Sequence, residues 1–187
     1  MKFADRIARL GTETAFAVSA EAAAFAAQGN KVYPFHLGDM NIPTPANVME
    51  AAAKAMRDGK TGYCPNAGIP KLREVLAADV GAARGLRYSP ENVAIQPGGK
   101  PTIGKFFLAL LNPGEEMIIP TPCFVSYQAS AIMAGGVAVE VPSRMENNFD
   151  LDPDEIKAAI TPRTKAILLG YPNNPTGAVA SRENLLK

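Results

Sequence analysis

The chain has 187 residues, 47% hydrophobic and 20% charged, a composition that suits a soluble globular protein with room for one sizeable domain. Its 19 Lys plus Arg and 18 Asp plus Glu leave a net charge of +1, and without a basic cluster there is no reason to invoke nucleic acid or an anionic membrane. Two distant cysteines, Cys64 and Cys123, and one histidine, His36, suggest neither a disulfide framework nor a metal site and fit a reducing cytoplasm.

In chain order, no apolar run approaches a membrane span, and the N-terminal stretch, with acidic residues interspersed, lacks the core and cleavage site of a signal peptide. Residues 19–28 read as an Ala-rich helix, with Ser19 as N-cap and Gly29 as the stop. "VYPFH" is a short extended piece interrupted by Pro34. Thr44-Pro45 reads as a capping hydroxyl with proline at the first helical position, and Val48, Ala51, Ala52, Ala55 and Met56 follow at helical spacing. After "DGKTGYCPNAGIP", Leu72, Val75, Leu76 and Val80 share the face of another helix.

From Asn92 onward strands and helices alternate. "NVAIQ" is expected as a strand and "GGKPTIGKFFLALL" as a helix with Ile103, Phe106, Phe107, Leu110 and Leu111 on its apolar face. Asn112-Pro113-Gly114 makes a turn into the strand "EMIIP". A helix over 123–134 follows, with Val125, Ala129, Ile132 and Met133 inward. "VAVEV" is the next strand, and Asp152, Pro153 and Glu155 open a helix to about Ile160. "TKAILLG" closes the series. This alternation implies an α/β fold, a mostly parallel sheet sandwiched by helices. Ser181 reads as the cap of a further helix begun in "SRENLLK", which suggests the front portion of a longer protein or a truncated product.

In such a sheet, ligands bind beyond the carboxyl ends of the strands, and three unusual stretches fall there. In "QPGGKP", Gly98 and Gly99 permit close backbone approach, and the helix that follows offers N–H groups and a positive dipole end, which suits a phosphate. Pro101 lacks a donor, leaving Gly99 and Lys100 to supply the amides. A tight turn is the plain structural alternative. In "PTPCFVSY", Phe124 sits where an aromatic face could stack on a planar ligand or simply fill the core. In "GYPNNPTGAV", Asn174 is either an amide donor to a ligand or a turn former. A phosphate cradle, an aromatic platform and an amide donor together suit a flat phosphorylated heterocycle, of which pyridoxal phosphate is one.

From about Ser19 onward the chain resembles the aspartate aminotransferase-like, class I/II aminotransferases of fold type I, which depend on pyridoxal phosphate. "YPNNPTG" carries the most specific match, since Asn-Pro-Thr-Gly is the family's signature turn. The resemblance implies that Asn174 donates to the phenolic oxygen of the cofactor, that Gly99 and Lys100 cradle its phosphate, and that Phe124 takes the place of the stacking aromatic. "GYCPNAGIPKLRE" resembles the segment whose tyrosine, here Tyr63, reaches the cofactor phosphate of a neighbouring subunit, implying a homodimer with shared active sites. "HLGDMNIPTP" retains Gly38, whose backbone the family uses near the substrate carboxylate, but has Asp39, Met40, Asn41 and Ile42 where the family has Glu, Pro, Asp and Phe.

The resemblance further implies an N-terminal arm and small-domain segment over 1–45 and part of the large cofactor-binding domain over 46–187. The family's Schiff-base lysine lies downstream of its signature turn in a Ser-x-x-Lys context, and Lys100, Lys105, Lys165 and Lys187 do not match it. No catalytic residue is therefore assigned. The reading is the N-terminal part of a cytoplasmic aminotransferase that moves an amino group between an amino acid and a 2-oxo acid, inactive as this chain alone. Other fold type I lyases, decarboxylases or synthases share these motifs, and a non-catalytic ligand-binding or dimerisation module is a further alternative. An unrelated nucleotide-binding domain would need an acidic residue where Ile118-Ile119-Pro120 stands.

Overall fold

The strand formed by "EMIIP" is the most buried of the three and lies in the middle of the sheet. The computed structural model describes residues 2–10, 14–38, 40 and 42–187. In it β1 (Glu116–Thr121) lies between β2 (Val137–Pro142) and β3 (Thr164–Ile167), in the order β2-β1-β3. Both pairings are parallel, with Glu116 opposite Val137 on one side and Ile118 opposite Ile167 on the other. Parallel strands need crossovers, and α5 (Ser126–Met133) and α6 (Pro153–Ala158) occupy the two intervals.

Alternation along β1 divides its side chains between two faces. Met117 and Ile119 join Phe107 and Leu111 from α4 (Gly99–Leu110) and Ala131 from α5 in one buried cluster. On the opposite face Leu151, Ile156, Ile160, Ile167 and Leu169 meet Leu185 of α7 (Arg182–Leu186) around a cavity of about 320 Å³. Helices thus flank both faces, as the alternating pattern implies. Glu116, at the amino end of β1, is buried and is met by the Thr161 hydroxyl and the Arg163 guanidinium, each at 2.5 Å.

The chain forms two compact units, residues 2–10 with Gly98–Lys187, and Thr14–Pro97. The second holds α1 (Thr14–Ala27), α2 (Ala46–Arg57) and α3 (Pro70–Arg84). In α3 the buried positions are Ala77 and Gly81, and Arg73 ties the helix to the following segment by donating to the carbonyls of Val93 and Pro90. Among the described residues, no helix is long and apolar enough to cross a membrane.

Several local expectations are corrected. Ser19 is interior to α1, which begins earlier, and its hydroxyl donates to the Ala15 carbonyl at 2.9 Å. The alanine run sustains the helix on both sides of it, so the hydroxyl bonds back one turn instead of capping. Thr44 makes no cap, because Pro45 itself takes the N-cap position with ψ 139 and helical geometry starts at Ala46. "NVAIQ" is not a strand. Its Ile95 N–H donates to the Ala67 carbonyl at 2.9 Å, and one such bond is not a ladder. In α5 the core-facing line is Tyr127, Ala131 and Ala134, one step from the expected face, while Val125 and Met133 are exposed. Helix α6 ends at Ala158, short of Ile160. By contrast, Asp152 caps α6 through the N–H groups of Asp154 and Glu155, and Ser181 caps α7 through that of Asn184.

Candidate functional site

The carboxyl ends of β1 and β3 are neighbours because those strands pair in parallel, and the candidate residues of the first unit lie on the segments that leave them. Beyond Thr121 the chain runs through Pro122 and Cys123 to Phe124, whose half-buried ring stands edge-on to Tyr127, centroids 5.7 Å apart and planes at 86°. The Lys100 ammonium lies 5.4 Å from the centre of the Phe124 ring. That distance links the start of α4 directly to the end of β1.

Helix α4 starts on a backbone that needs glycine. Gly98 holds φ +107, a region that L side chains rarely adopt. A Cβ placed on Gly99 would meet nothing within 4 Å, so the turn opens onto unfilled space. The Thr102 hydroxyl donates to the Gly98 carbonyl at 2.8 Å and holds the first turn closed. A helix start directs N–H groups and the positive end of the dipole toward such space.

The third segment leaves β3. Here the two adjacent asparagines differ in their surroundings. Asn173 uses both ends of its amide: its Oδ1 accepts from the Thr176 N–H and hydroxyl at 3.1 and 2.8 Å, and its Nδ2 donates to the Pro122 carbonyl at 3.1 Å. Its backbone N–H donates to Ala178, and its carbonyl accepts from Gly177. Asn174 is exposed on the turn that Asn173 ties down. The structure therefore brings together Gly99, Lys100, Phe124 and the Asn174 turn.

Gly38 and Tyr63 belong to the second unit. Both are exposed, Tyr63 wholly so, and a Cβ on Gly38 would meet nothing within 4 Å. Asp39 and Asn41, two of the departures from the family pattern, lie outside the described residues; Met40 and Ile42 are exposed. Two further groups near the strand ends are held in their neutral forms. Burial, then the charge of Glu140, pushes the Cys123 thiol up, away from a reactive thiolate. Burial, then Asp150, pushes the Tyr171 phenol up, and its hydroxyl donates to the Phe149 carbonyl at 3.3 Å. Neither offers a nucleophile or base at neutral pH.

The groups that do converge are an ammonium, a helix start beside open backbone, an aromatic face and an exposed amide. Their chemistry fits a flat ring carrying an anionic phosphate, so the residues present fit pyridoxal phosphate. Residues 30–187 match the model of the family described as aminotransferase class I and II. The chain belongs to that family. Members of this aminotransferase family depend on pyridoxal phosphate.

Among curated relatives, the chain is 42% identical to the aspartate/prephenate aminotransferase of Thermus thermophilus, over 96% of this chain and 47% of that protein. It is 39% identical to the aspartate aminotransferase of Geobacillus stearothermophilus, over 99% and 47%. Among solved structures, a single mutant of the Thermus thermophilus aspartate aminotransferase superposes with a TM-score of 0.93 at 40% identity, covering 99% of this chain and 48% of that one. The aspartate aminotransferase of Thermotoga maritima gives 0.93 at 34%, covering 98% and 49%. The chain thus spans about half the length of the aminotransferases it matches, and its sheet and helices have the architecture of the fold type I large domain.

Two residues of this neighbourhood carry no distinguishing mark in the sequence. Asn173 precedes the signature asparagine and looks like its duplicate, although it is the one that builds the turn. Tyr127 follows Phe124 by three positions at a helix start, a spacing that brings two side chains together once the helix is known.

Proposed function

We propose that the full-length protein is a pyridoxal-phosphate-dependent aminotransferase, moving an amino group between an amino acid and a 2-oxo acid, and that this chain supplies its cofactor-side half. The supporting observation is the convergence at one sheet edge: the Lys100 ammonium over Phe124, with the Asn174 turn tied by Asn173 to the carbonyl just before Cys123 and Phe124. The α4 start, with Gly99 and Lys100, holds the phosphate. Phe124 bounds one face of the ring, and Asn174 donates to the phenolic oxygen. When bound, pyridoxal phosphate supplies an electron-withdrawing ring that stabilises negative charge developing on the amino acid's α-carbon. An amide donor at the phenolic oxygen favours its ionised form. Phe124 excludes water from one ring face and fixes the plane in which that charge is spread.

The same reading assigns residues 1–45 to an arm and small-domain segment and 46–187 to the large domain. It places the backbone of Gly38 near the substrate carboxylate. Tyr63, wholly exposed in a single chain, reaches the cofactor phosphate of a second subunit in a homodimer. A cytoplasmic location follows from the reading, with neither membrane nor nucleic acid as partner. The relatives' names make aspartate the amino donor to try first.

The test is to add pyridoxal phosphate to the full-length protein, record the visible absorbance of bound cofactor and its removal by borohydride, and follow amino transfer from aspartate to 2-oxoglutarate. Uptake with transfer supports the reading. Uptake without transfer to any 2-oxo acid points to another fold type I reaction, and no uptake overturns the assignment.

A further inference from the structure

We propose that Tyr127 is a positioning residue of the cofactor site, one that fixes the attitude of the Phe124 ring and the separation of the two strand ends carrying Phe124 and Asn174. The inference rests on the cofactor reading above and adds a residue that the signature motifs do not contain.

Three contacts carry it. Tyr127 and Phe124 meet as a T-shaped pair, so rotation of the Phe124 ring is opposed by the Tyr127 ring. Its ring also packs on the buried cluster of Phe107, Leu111 and Ala131, which anchors it to the core instead of to solvent. Finally, its outer end occupies the place where a side chain at Gly170 would be. A Cβ on Gly170 would lie 2.9 Å from Oη and 3.2 and 3.4 Å from two ring carbons. Gly170 opens the segment that leads from β3 to Asn173 and Asn174. Its φ is not in the left-handed region, so close approach to Tyr127, not backbone conformation, is what requires glycine there.

One phenol therefore spans the gap between the platform and the amide turn. Asn173 ties the same two segments together through the Pro122 carbonyl, but that bond, from a side-chain amide to a backbone carbonyl, does not touch the Phe124 ring. The Phe124 ring itself is met by Tyr127 and by the Lys100 ammonium, and Tyr127 also reaches the segment that leaves β3. A side chain added at position 170 presses on the phenol, whose ring packs against Phe124 and the core cluster.

The experiment measures the dissociation constant of pyridoxal phosphate by equilibrium dialysis, and the pH midpoint of its visible band, in full-length wild type, Tyr127→Phe, Tyr127→Leu, Gly170→Ala and the double variant. Tyr127→Phe keeps the ring and should bind as wild type does. Tyr127→Leu loses the edge contact and should bind roughly three- to tenfold more weakly, with a displaced midpoint. Gly170→Ala should reproduce both effects, and adding it to Tyr127→Leu should cost nothing more, because the ring it strikes is gone. If Tyr127→Leu does not fold, Gly170→Ala, which removes nothing from the core, carries the test. Wild-type affinity and midpoint in both Tyr127→Leu and Gly170→Ala would overturn the proposal, as would additive losses in the double variant. A wild-type protein that takes up no cofactor overturns the underlying reading and this assignment with it, a result seen before any variant is made.

Discussion

Asn173 and Pro122, separated by 51 positions, are joined by a 3.1 Å hydrogen bond from the Asn173 side-chain amide to the Pro122 carbonyl. The bond closes the carboxyl edge of the sheet between β1 and β3, and with the two bonds from Thr176 it engages both ends of the Asn173 side-chain amide. Under the proposed function, structure falls to Asn173 and ligand binding to its neighbour Asn174. Asn173→Ala should destabilise the fold by about 1–3 kcal/mol, since it leaves donors and an acceptor of the turn without partners. Asn174→Ala should leave stability within about 0.5 kcal/mol, weaken cofactor binding, and move the pH midpoint of the bound cofactor's visible band upward, because the donor favouring the ionised oxygen is lost. Denaturant midpoints and the cofactor titration, run on both variants, check the split; equal stability losses would contradict it.

Lys100 presents both a backbone amide and an ammonium over Phe124, and a Lys100→Met exchange removes only the second. An ammonium beside a bound phosphate at this exposed position contributes roughly 0.2–1 kcal/mol, so binding of pyridoxal phosphate should weaken by up to about fivefold. Pyridoxal, which lacks the phosphate, should be affected much less. Dialysis with both compounds separates charge from packing. The wild-type preference for the phosphorylated form should also shrink as salt is raised.

Glu116 supplies a pH-dependent element at the opposite end of β1. The hydroxyl of Thr161, and after it the guanidinium of Arg163, hold its carboxyl below the ordinary value of 4.5, against the opposing effect of burial. A carboxylate whose folded-state pKa is depressed stabilises the fold fully above the ordinary value and loses that contribution as pH falls through the folded-state value. Chemical denaturation of wild type and Glu116→Gln should therefore differ most at neutral pH and converge on acidification below 4.5. A gap independent of pH would show that Glu116 acts through packing alone.

What was legible in the sequence follows from which interactions are local. Strands β1, β2 and β3 announce themselves as apolar runs between turns, and the caps of Asp152 and Ser181 depend on residues two or three positions away. "NVAIQ" has the same local character, yet becomes a strand only with a neighbour, and its hydrogen bond goes to the isolated Ala67 carbonyl. The inward face of α5 departs from the sequence expectation because Ala131 and Ala134 take core positions that the larger Ile132 and Met133 would claim on hydrophobicity alone. Small residues win where α4 approaches closely, burying Ala131 completely beside Phe107. At the site, Gly99, Lys100, Phe124 and Asn174 were readable as motif positions. The division between Asn173 and Asn174 and the place of Tyr127 depend on contacts across 51 and 43 positions, which spacing does not encode.

Helix α2 carries the last prediction. Val48, Ala52, Ala55 and Met56 fall on one side at helical spacing, yet Val48 is 52% and Met56 62% exposed, and the helix has no buried residue. An amphipathic helix with its apolar stripe in water is stabilised when that stripe is covered. The 187-residue chain should therefore self-associate, and sedimentation velocity should show species larger than the 19.7 kDa monomer. The double exchange Val48→Glu and Met56→Glu places like charges on that stripe and should shift the distribution toward monomer without lowering the thermal midpoint by more than a few degrees, because neither side chain contributes to a core. Unchanged association in the double variant would move the sticky surface elsewhere, with Phe106 and Leu108 of α4, both more than half exposed, the next positions to exchange.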